Sequence, residues 1–513
     1  LIDDTLAMRI AIDRNQTDGF IDNPALGIDD QDREERLTLR AGFRFDPTDD
    51  FSAVLKFTRT EDKASFGDIL ASTFPERREF LADIQDTQTN RNNALNLRMS
   101  YDISSDFRIE SETTYLDADV SLRQDPDDSP LVVPAQTAVS QNTVFEQELK
   151  LFYTSDRIDA VIGGFFADIE STDRTILPRP GSIISPLLPP DSLIVGENLD
   201  NFNTTNFAIF GEVDAEVLPD LRLIVGARYD RETTDTTGFT SFETNFPPIQ
   251  PLLPPNSTRD TSATYDAFLP KVGAVYSVTD DLSLGATVQR GYRAGGASFN
   301  TFTGEAFEFD PEFTWNYELA LRSQWFDRQL TVNANLFYTD WTDQQIQVPG
   351  PSGDPLDRIV TNAGASRLFG GELEVRALAA PGLEVFGTIG YVNTKFTDFS
   401  SGDSDFTGNE FAFAPEVTAA LGVEYYFENG LFVASDASFT DSGFTDLANT
   451  SALQDDSRFL VNARLGYEAE NWGVFGYVSN LFDVDYRTRV TSNGLLIQAG
   501  PPRQFGLVGQ INF

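Results

Sequence analysis

Long stretches of the chain alternate apolar and polar residues with a period of two, and this pattern constrains the fold more than any other feature. In segment 330–339, Leu330, Val332 and Leu336 lie at even positions, and Asn333 and Asn335 lie at odd positions. Because successive side chains of a strand point to opposite faces, such a segment is predicted to be a strand with one apolar and one polar face. The alternation recurs in segments 37–45, 95–101, 221–229 and 459–467. The fold class is therefore predicted to be all-β.

Three properties favour a membrane barrel over a soluble sandwich. Most of the predicted strands have ten residues or more, whereas soluble strands are most often about five or six residues long. Their polar faces carry charged residues such as Lys150, Arg222 and Glu318, which suits a water-filled lumen. Short turns also alternate with long polar loops, as in outer-membrane barrels. A soluble solenoid or propeller is the alternative, but the sequence has no fixed repeat period.

About twenty such segments, from Thr5–Asn15 to Gln504–Phe513, predict one transmembrane antiparallel β-barrel over residues 1–513. Turns such as 155–157 are expected in the periplasm, and loops 173–202 and 235–262 outside. Aromatic residues near the strand ends predict girdles at the two membrane interfaces; they include Phe45, Phe51, Tyr101, Phe107, Trp315, Trp325 and Trp472. Four of the predicted strands are Ile158–Thr172, Asn203–Val217, Phe411–Phe427 and Trp472–Arg487.

Composition excludes several classes of function. The chain has 37 Lys+Arg and 80 Asp+Glu, a net charge of −43, which argues against nucleic acid as a partner because phosphate binding needs basic residues. It has no Cys and no His, so disulfides, thiol nucleophiles, Ser–His triads and His-ligated metals are excluded. We therefore expect neither an enzyme nor a bound cofactor. No run of about eighteen apolar residues predicts a membrane helix.

Several sequence blocks resemble the barrel core of TonB-dependent outer-membrane receptors. The resemblance covers essentially the whole chain, and it is carried by the order and spacing of Gln289–Gly296, Phe309–Glu312, Trp315–Arg322, Leu336–Trp341 and Val478–Asp483. It implies a 22-stranded barrel filled by an N-terminal plug, so the twenty predicted strands correspond to 22 less the first two. No plug segment or TonB box is visible here, and we expect both to precede Leu1 in a longer precursor.

The resemblance also implies a role for the terminal strand. Phe505, Leu507, Ile511 and Phe513 share one face of this strand and end the chain on an aromatic residue. In the family such an ending is the signal recognised by the outer-membrane assembly machinery. The same residues would in any case face lipid, and the two roles are compatible.

Two kinds of loop stand out. The acidic clusters 29–32, 125–128 and 403–405 have the oxygen ligands that Ca²⁺ prefers, but none has a complete Ca²⁺-loop spacing. We therefore favour solvated surface charge over loop-bound Ca²⁺. The Pro-rich loops 173–202 and 235–262 carry scattered apolar residues, which suit either ligand capture or packing over the barrel mouth; they are Ile183, Ile184, Leu187, Leu188, Phe242, Phe246, Leu252 and Leu253. Lumenal charges are expected mainly to contact the plug.

The function implied by the resemblance is active uptake of a scarce, bulky nutrient across the outer membrane of a Gram-negative bacterium. Energy would come from the TonB complex through the plug. A ferric siderophore is the commonest cargo in the family, with cobalamin or a glycan as alternatives. Haem is disfavoured because the chain has no His. A passive porin, usually of 16–18 strands, and a surface scaffold that binds partner proteins through its loops are the rival functions.

Overall fold

A single antiparallel sheet of twenty strands dominates the computed structural model, which describes residues 5–181, 188–189, 191–299, 305–350, 358–491 and 494–512. Each strand of this sheet pairs with the next along the chain. Its strands are β1 (Leu6–Thr17), β2 (Glu34–Thr48), β3 (Phe51–Phe66), β5 (Asp86–Asp102), β6 (Phe107–Gln124), β7 (Gln136–Thr154), β8 (Ile158–Pro180), β9 (Leu193–Leu218), β10 (Leu221–Thr244), β11 (Ser257–Thr279), β12 (Leu282–Arg293), β15 (Glu312–Trp325), β16 (Leu330–Pro349), β17 (Arg358–Ala380), β18 (Leu383–Asp398), β21 (Val417–Tyr426), β22 (Leu431–Thr440), β23 (Arg458–Glu468), β24 (Trp472–Ser479) and β27 (Gln504–Ile511).

The remaining elements are short and lie in the long loops. They are β4 (Ile69–Leu70), β13 (Gly296–Phe299), β14 (Ala306–Phe309), β19 (Ser400–Ser401), β20 (Ser404–Asp405), β25 (Arg487–Val490), β26 (Leu496–Ala499) and two 3-10 helices, Pro247–Leu252 and Ser451–Leu453. Within the described ranges, no helix is both long and apolar enough to cross a bilayer.

The predicted architecture of about twenty long strands is confirmed, with short turns at one rim and long loops at the other. Glycine makes two of the described short turns possible, at Gly382 and Gly430. Gly382, between β17 and β18, has a φ of +76°, and a Cβ on it would lie 2.3 Å from the carbonyl oxygen of Tyr426. Only glycine adopts such a conformation without strain. The turns therefore fix where each pair of strands begins.

At the long-loop rim several predicted boundaries are wrong. Strand β8 continues past Thr172 to Pro180, and β9 begins at Leu193 instead of Asn203, so the loop predicted at 173–202 is mostly strand. Strands β10 and β11 likewise extend into the predicted loop 235–262. In the opposite direction, β21 begins only at Val417 and β24 ends at Ser479. Above the apolar band both faces of a strand are polar, so the alternation no longer marks strand ends.

The two faces of the sheet are those predicted. Leu319, Leu336 and Leu465 on the outer face are 58%, 61% and 64% exposed. So many large apolar side chains on one surface do not fit a surface in contact with water. On the inner face, Arg222 donates hydrogen bonds to Asp159 (2.7 Å) and Asp214 (2.9 Å). An apolar exterior around a charged interior is the arrangement of a membrane barrel.

The sheet has a seam between its first and last strands. In the described residues β1 pairs only with β2, and β27 pairs only with β24. At the long-loop rim, loops from the two ends of the chain pack together in what we call the long-loop clasp, formed by Ile69, Phe80, Ile497 and Arg78. Ile69 pairs with Ile497 across β4 and β26, and Phe80 is fully buried beside them. Arg78 donates to the Gly500 carbonyl oxygen at 2.7 Å.

Candidate functional site

A polar pocket of about 490 Å³ lies towards the long-loop rim, and most of its lining residues are on the inner face of the sheet. Strands β9, β10, β11, β12 and β16 and the loop after β12 supply its walls. Its lining residues are Asn206, Arg228, Asp230, Glu232, Leu269, Tyr292, Arg293, Ala294, Gly295, Phe309 and Gln345. A concave site with a few convergent polar groups is the usual form of a small-molecule site.

One wall is a hydrogen-bonded group on β9 and β10. Arg228 donates two hydrogen bonds to one carboxylate oxygen of Asp230, at 2.8 and 2.6 Å. The amide of Asn206 donates to the other oxygen at 2.7 Å and to Glu232 at 3.2 Å. The guanidinium of Arg228 also lies 5.4 Å from the ring centre of Phe165. These contacts fix the orientation of Arg228, because rotation would break its bonds to a carboxylate that is only 5% exposed.

The opposite wall comes from the block Gln289–Gly296 and its neighbours. Arg293 pairs with the buried Glu312 at 2.8 Å, and Glu312 also accepts the backbone N–H of Gln345 at 2.6 Å. The Gln345 amide donates to the Ala294 carbonyl oxygen at 2.7 Å. At Gly295 a Cβ would lie 2.5 Å from a backbone oxygen of Phe309. A larger residue there would push the two segments apart and open this wall.

Two polar atoms in the pocket walls are buried and have no hydrogen-bond partner within the described part of the chain. They are the hydroxyl of Tyr292 and the side-chain carbonyl oxygen of Asn206. A buried polar group without a partner costs about 1–3 kcal/mol. A ligand or ordered water that bonds to these atoms would remove this cost. The pocket walls therefore hold one unpartnered donor and one unpartnered acceptor, both shielded from solvent in this arrangement.

Part of this site was visible in the sequence. The block Gln289–Gly296 was singled out, and Tyr292 to Gly295 prove to line the pocket. Asn206, Asp230 and Gln345 were missed, because only strand register brings them beside that block. The proposed assembly residues lie on β27 with Phe505, Leu507 and Ile511 exposed (74%, 78% and 68%), and Phe513 lies outside the described residues. Their recognition by the assembly machinery stays a prediction.

The long-loop predictions have mixed outcomes. Phe242 is buried beside the strand extensions, whereas Leu252 is 81% exposed. Ile183, Ile184 and Leu187 lie outside the described residues. In the described ranges, no group of three or more acidic side chains is arranged to hold a metal ion. Loop-bound Ca²⁺ therefore stays a prediction.

The acidic cluster at 125–128 is not simple surface charge. Asp125 is 1% exposed and Asp86 is 4% exposed. The Asp86 side chain accepts the Asp125 backbone N–H at 2.6 Å, and one Asp125 oxygen is buried without a partner in the described structure. Burial, and then neighbouring carboxylates, raise the pKa of Asp86 to about 7 and that of Asp128 to about 6, and they also raise the pKa of Asp125. The other charged groups that face this cluster are the carboxylates of Asp68, Asp83 and Asp127. The positive charge of Arg489 acts in turn on the Asp68 carboxylate.

This cluster should make the loop after β6 sensitive to pH. Because the folded pKa values lie above the unfolded value of about 4, the folded state binds more protons between pH 4 and 7. Its stability should therefore be highest at low pH and fall as the pH rises through that window. We expect amide hydrogen exchange in residues 125–135 to be faster at pH 8 than at pH 5.5, after correction for the intrinsic rate. Asp125→Asn should reduce the difference in exchange rate between pH 8 and pH 5.5, and the exposed control Asp405→Asn should leave it unchanged. An equal rate difference in the two variants would contradict this account.

Comparison with known proteins agrees with the architecture. A family model described as "TonB dependent receptor-like, beta-barrel" matches residues 17–481. The chain belongs to the TonB-dependent receptor family. Barrels of this family are outer-membrane proteins of Gram-negative bacteria, and its members are transporters, not enzymes.

Individual TonB-dependent receptors are similar to the chain in sequence and in fold. The pesticin receptor of Yersinia pestis is 29% identical over 261 residues, which are 48% of this chain and 36% of that receptor. The crystal structure of the ferric yersiniabactin uptake receptor FyuA from Yersinia pestis superposes with a TM-score of 0.84 at 20% identity, covering 100% of this chain and 76% of that one. The siderophore receptor PiuA from Acinetobacter baumannii gives 0.77 at 16% identity, covering 99% and 77%. The matched part thus spans about a third of the length of the pesticin receptor.

Proposed function

We propose that the chain is the barrel portion of an outer-membrane receptor that imports a scarce, bulky nutrient with energy supplied through TonB. The family match over residues 17–481 carries this proposal. A ferric siderophore is the favoured cargo, because the similar proteins include receptors named for ferric yersiniabactin and for siderophores. A TonB-contacting plug and recognition of β27 by the assembly machinery belong to the same proposal.

The pocket supports this function by its position and its chemistry. It lies on the inner face near the long-loop rim, where a cargo arriving from outside would first meet ordered side chains. Its arginines are both bound to buried carboxylates, so they can hold their positions while the Tyr292 hydroxyl bonds to the cargo. Passive diffusion is less well supported, because porins usually have 16–18 strands and this sheet has twenty.

Uptake by cells tests the proposal. Deletion of the gene should abolish uptake of one labelled ferric siderophore by iron-starved cells, and a protonophore should stop uptake by the parent. Tyr292→Phe should weaken cargo binding about fivefold to tenfold, the usual effect of losing one hydrogen bond. Tyr115→Phe, on the outer face, is the matched control. Uptake that continues with the protonophore present would instead indicate a porin. If every iron complex is still taken up normally after the deletion, the cargo is not a ferric siderophore.

A further inference from the structure

The polar pocket carries more negative than positive charge. Both of its arginines are neutralised, because Arg228 pairs with Asp230 at 2.6 Å and Arg293 pairs with Glu312 at 2.8 Å. Glu232 lines the same pocket, and within the described part of the chain it forms no ion pair. One carboxylate of the pocket is therefore left without a countercharge.

The only hydrogen bond to the Glu232 carboxylate from the described residues comes from a neutral group. The Asn206 amide donates to one oxygen, Oε2, at 3.2 Å and to Asp230 at the shorter distance of 2.7 Å. The second oxygen of Glu232 is thus left for a donor that the described residues do not supply. A positively charged donor suits it best, because hydrogen bonds between charged groups are the strong ones.

Aromatic residues lie beside this carboxylate. Tyr265 is directly opposite Glu232 on β11, and Tyr292 and Phe309 line the pocket. Gly295 lets the Tyr265 ring approach the wall, since a Cβ there would lie 2.8 Å from the ring carbon Cζ. Ring faces attract cations, and ammonium ligands are often recognised by several rings together. A carboxylate next to such rings favours an ammonium group over an anion.

Further carboxylates stand beside the pocket. Glu308 and Asp310 flank the lining residue Phe309 in the sequence, and both are exposed. Neither forms an ion pair with any residue that the structure describes. Their charges act on the Tyr265 hydroxyl, which places them on the same side as Glu232. Since a cleft lined by charges of one sign concentrates ions of the opposite sign, this entrance should attract cations.

The neighbouring cations do not offset these charges. The Arg290 guanidinium lies 4.0 Å from the ring centre of Phe313 and donates to the Phe268 carbonyl oxygen at 3.3 Å. These contacts hold Arg290 outside the lining of the pocket. Lys271, further from the long-loop rim, pairs with Glu212 at 2.8 Å.

We propose that the pocket binds the protonated amino group of a cationic cargo, with the ammonium paired to Glu232 and held beside the aromatic rings. This inference rests on the proposed function and narrows its cargo. An iron complex of three catecholates is strongly anionic and would be repelled. Three hydroxamates instead balance the charge of the ferric ion, so that one free amine makes the complex a cation. The pocket therefore favours an amine-bearing hydroxamate complex over a catecholate complex.

Equilibrium binding to the purified protein tests this proposal. The probes are a linear ferric tris-hydroxamate with one free terminal amine and the same complex with that amine acetylated. The parent should bind the free-amine form about tenfold or more tightly, as expected for a hydrogen bond to a charged group. Glu232→Gln should bind the two forms equally, because glutamine keeps an acceptor for the Asn206 amide but has no charge. Glu318→Gln removes a carboxylate on β15 outside the pocket lining and should keep the parental preference.

Binding rates separate direct pairing from attraction at the entrance. Glu232→Gln should speed dissociation of the free-amine form, whereas Glu308→Gln with Asp310→Asn should mainly slow its association. The proposal is overturned if Glu232→Gln keeps the parental preference, or if the parent binds the two forms equally or binds neither. Uptake by cells that does not require the gene would count against the proposed function alone, because the preference is measured on the purified protein.

Discussion

Ala334→Arg prevents stable folding of the sheet in a bilayer, and Asn333→Arg does not: this is the expected result for two neighbours on β16. Ala334 is the fifth residue of a strand that needs about nine to eleven residues to cross, so it lies close to the bilayer midplane on the outer face. A cation there costs about 2–4 kcal/mol in a barrel. Asn333 faces the lumen, where its amide lies 3.4 Å from Glu374, so an arginine would find water and a carboxylate.

Heat-modifiable migration in gels measures this difference, since folded barrels migrate ahead of unfolded ones. The parent and Asn333→Arg should show the folded band, and Ala334→Arg should lose most of it. A folded Ala334→Arg beside an unfolded Asn333→Arg would show that the register of β16 is inverted. The inside and outside assignments for that strand would then be wrong.

The second large effect is expected at Asp200, above the membrane. The Arg259 side chain is only 4% exposed; it pairs with Asp200 and donates to Thr240. Gly238 makes room for the pair, because a Cβ there would lie 2.7 Å from the guanidinium. Burial raises the pKa of Asp200 despite this partner, so the pair itself adds little stability. Removing Asp200 is different, because the buried Arg259 guanidinium then loses this carboxylate, and breaking a buried pair costs about 3–5 kcal/mol.

Asp200→Ala should therefore greatly accelerate hydrogen exchange in the outer ends of β9, β10 and β11. The matched control is Asp159→Ala, whose carboxylate pairs with Arg222 but is 51% exposed. An exposed pair contributes about 0–1 kcal/mol, so exchange should hardly change there. Equal changes in hydrogen exchange after the two substitutions would show that the Asp200 carboxylate does not stabilise the buried Arg259 guanidinium.

The sequence predicted the strands well wherever lipid and water lie on opposite faces. Strands β10 and β16 begin at the first residues of the alternating segments 221–229 and 330–339, because each follows a short turn and opens directly into the alternation. Beyond the membrane this contrast vanishes, and Asp173 to Pro180 continue β8 without any periodic signal. Phe411, predicted to open a strand, instead packs on Phe396 at a ring distance of 4.8 Å in a loop core.

The pocket was less predictable than the strands for a related reason. Asn206 and Gln345 are 139 positions apart in the sequence, and neither stands in a recognisable motif. Their proximity depends on the register of every pairing between them. A shift of one residue in any strand would turn its side chains to the other face. The sequence motifs identified the pocket wall whose residues are consecutive in the chain. They did not identify the walls whose residues come from different strands.

The long-loop clasp has a consequence for the order of folding. Its contacts join residues separated by most of the chain: Arg78 and Gly500 are 422 positions apart. Each neighbouring pair of strands can form as a local hairpin, with little loss of chain entropy. The clasp joins loops that lie beside the first and last strands of the sheet, so its two halves come close only when the two edges of the sheet approach each other. It is therefore a natural late step of folding, and a chain that ended before β26 would leave Ile69 and Phe80 without their cover.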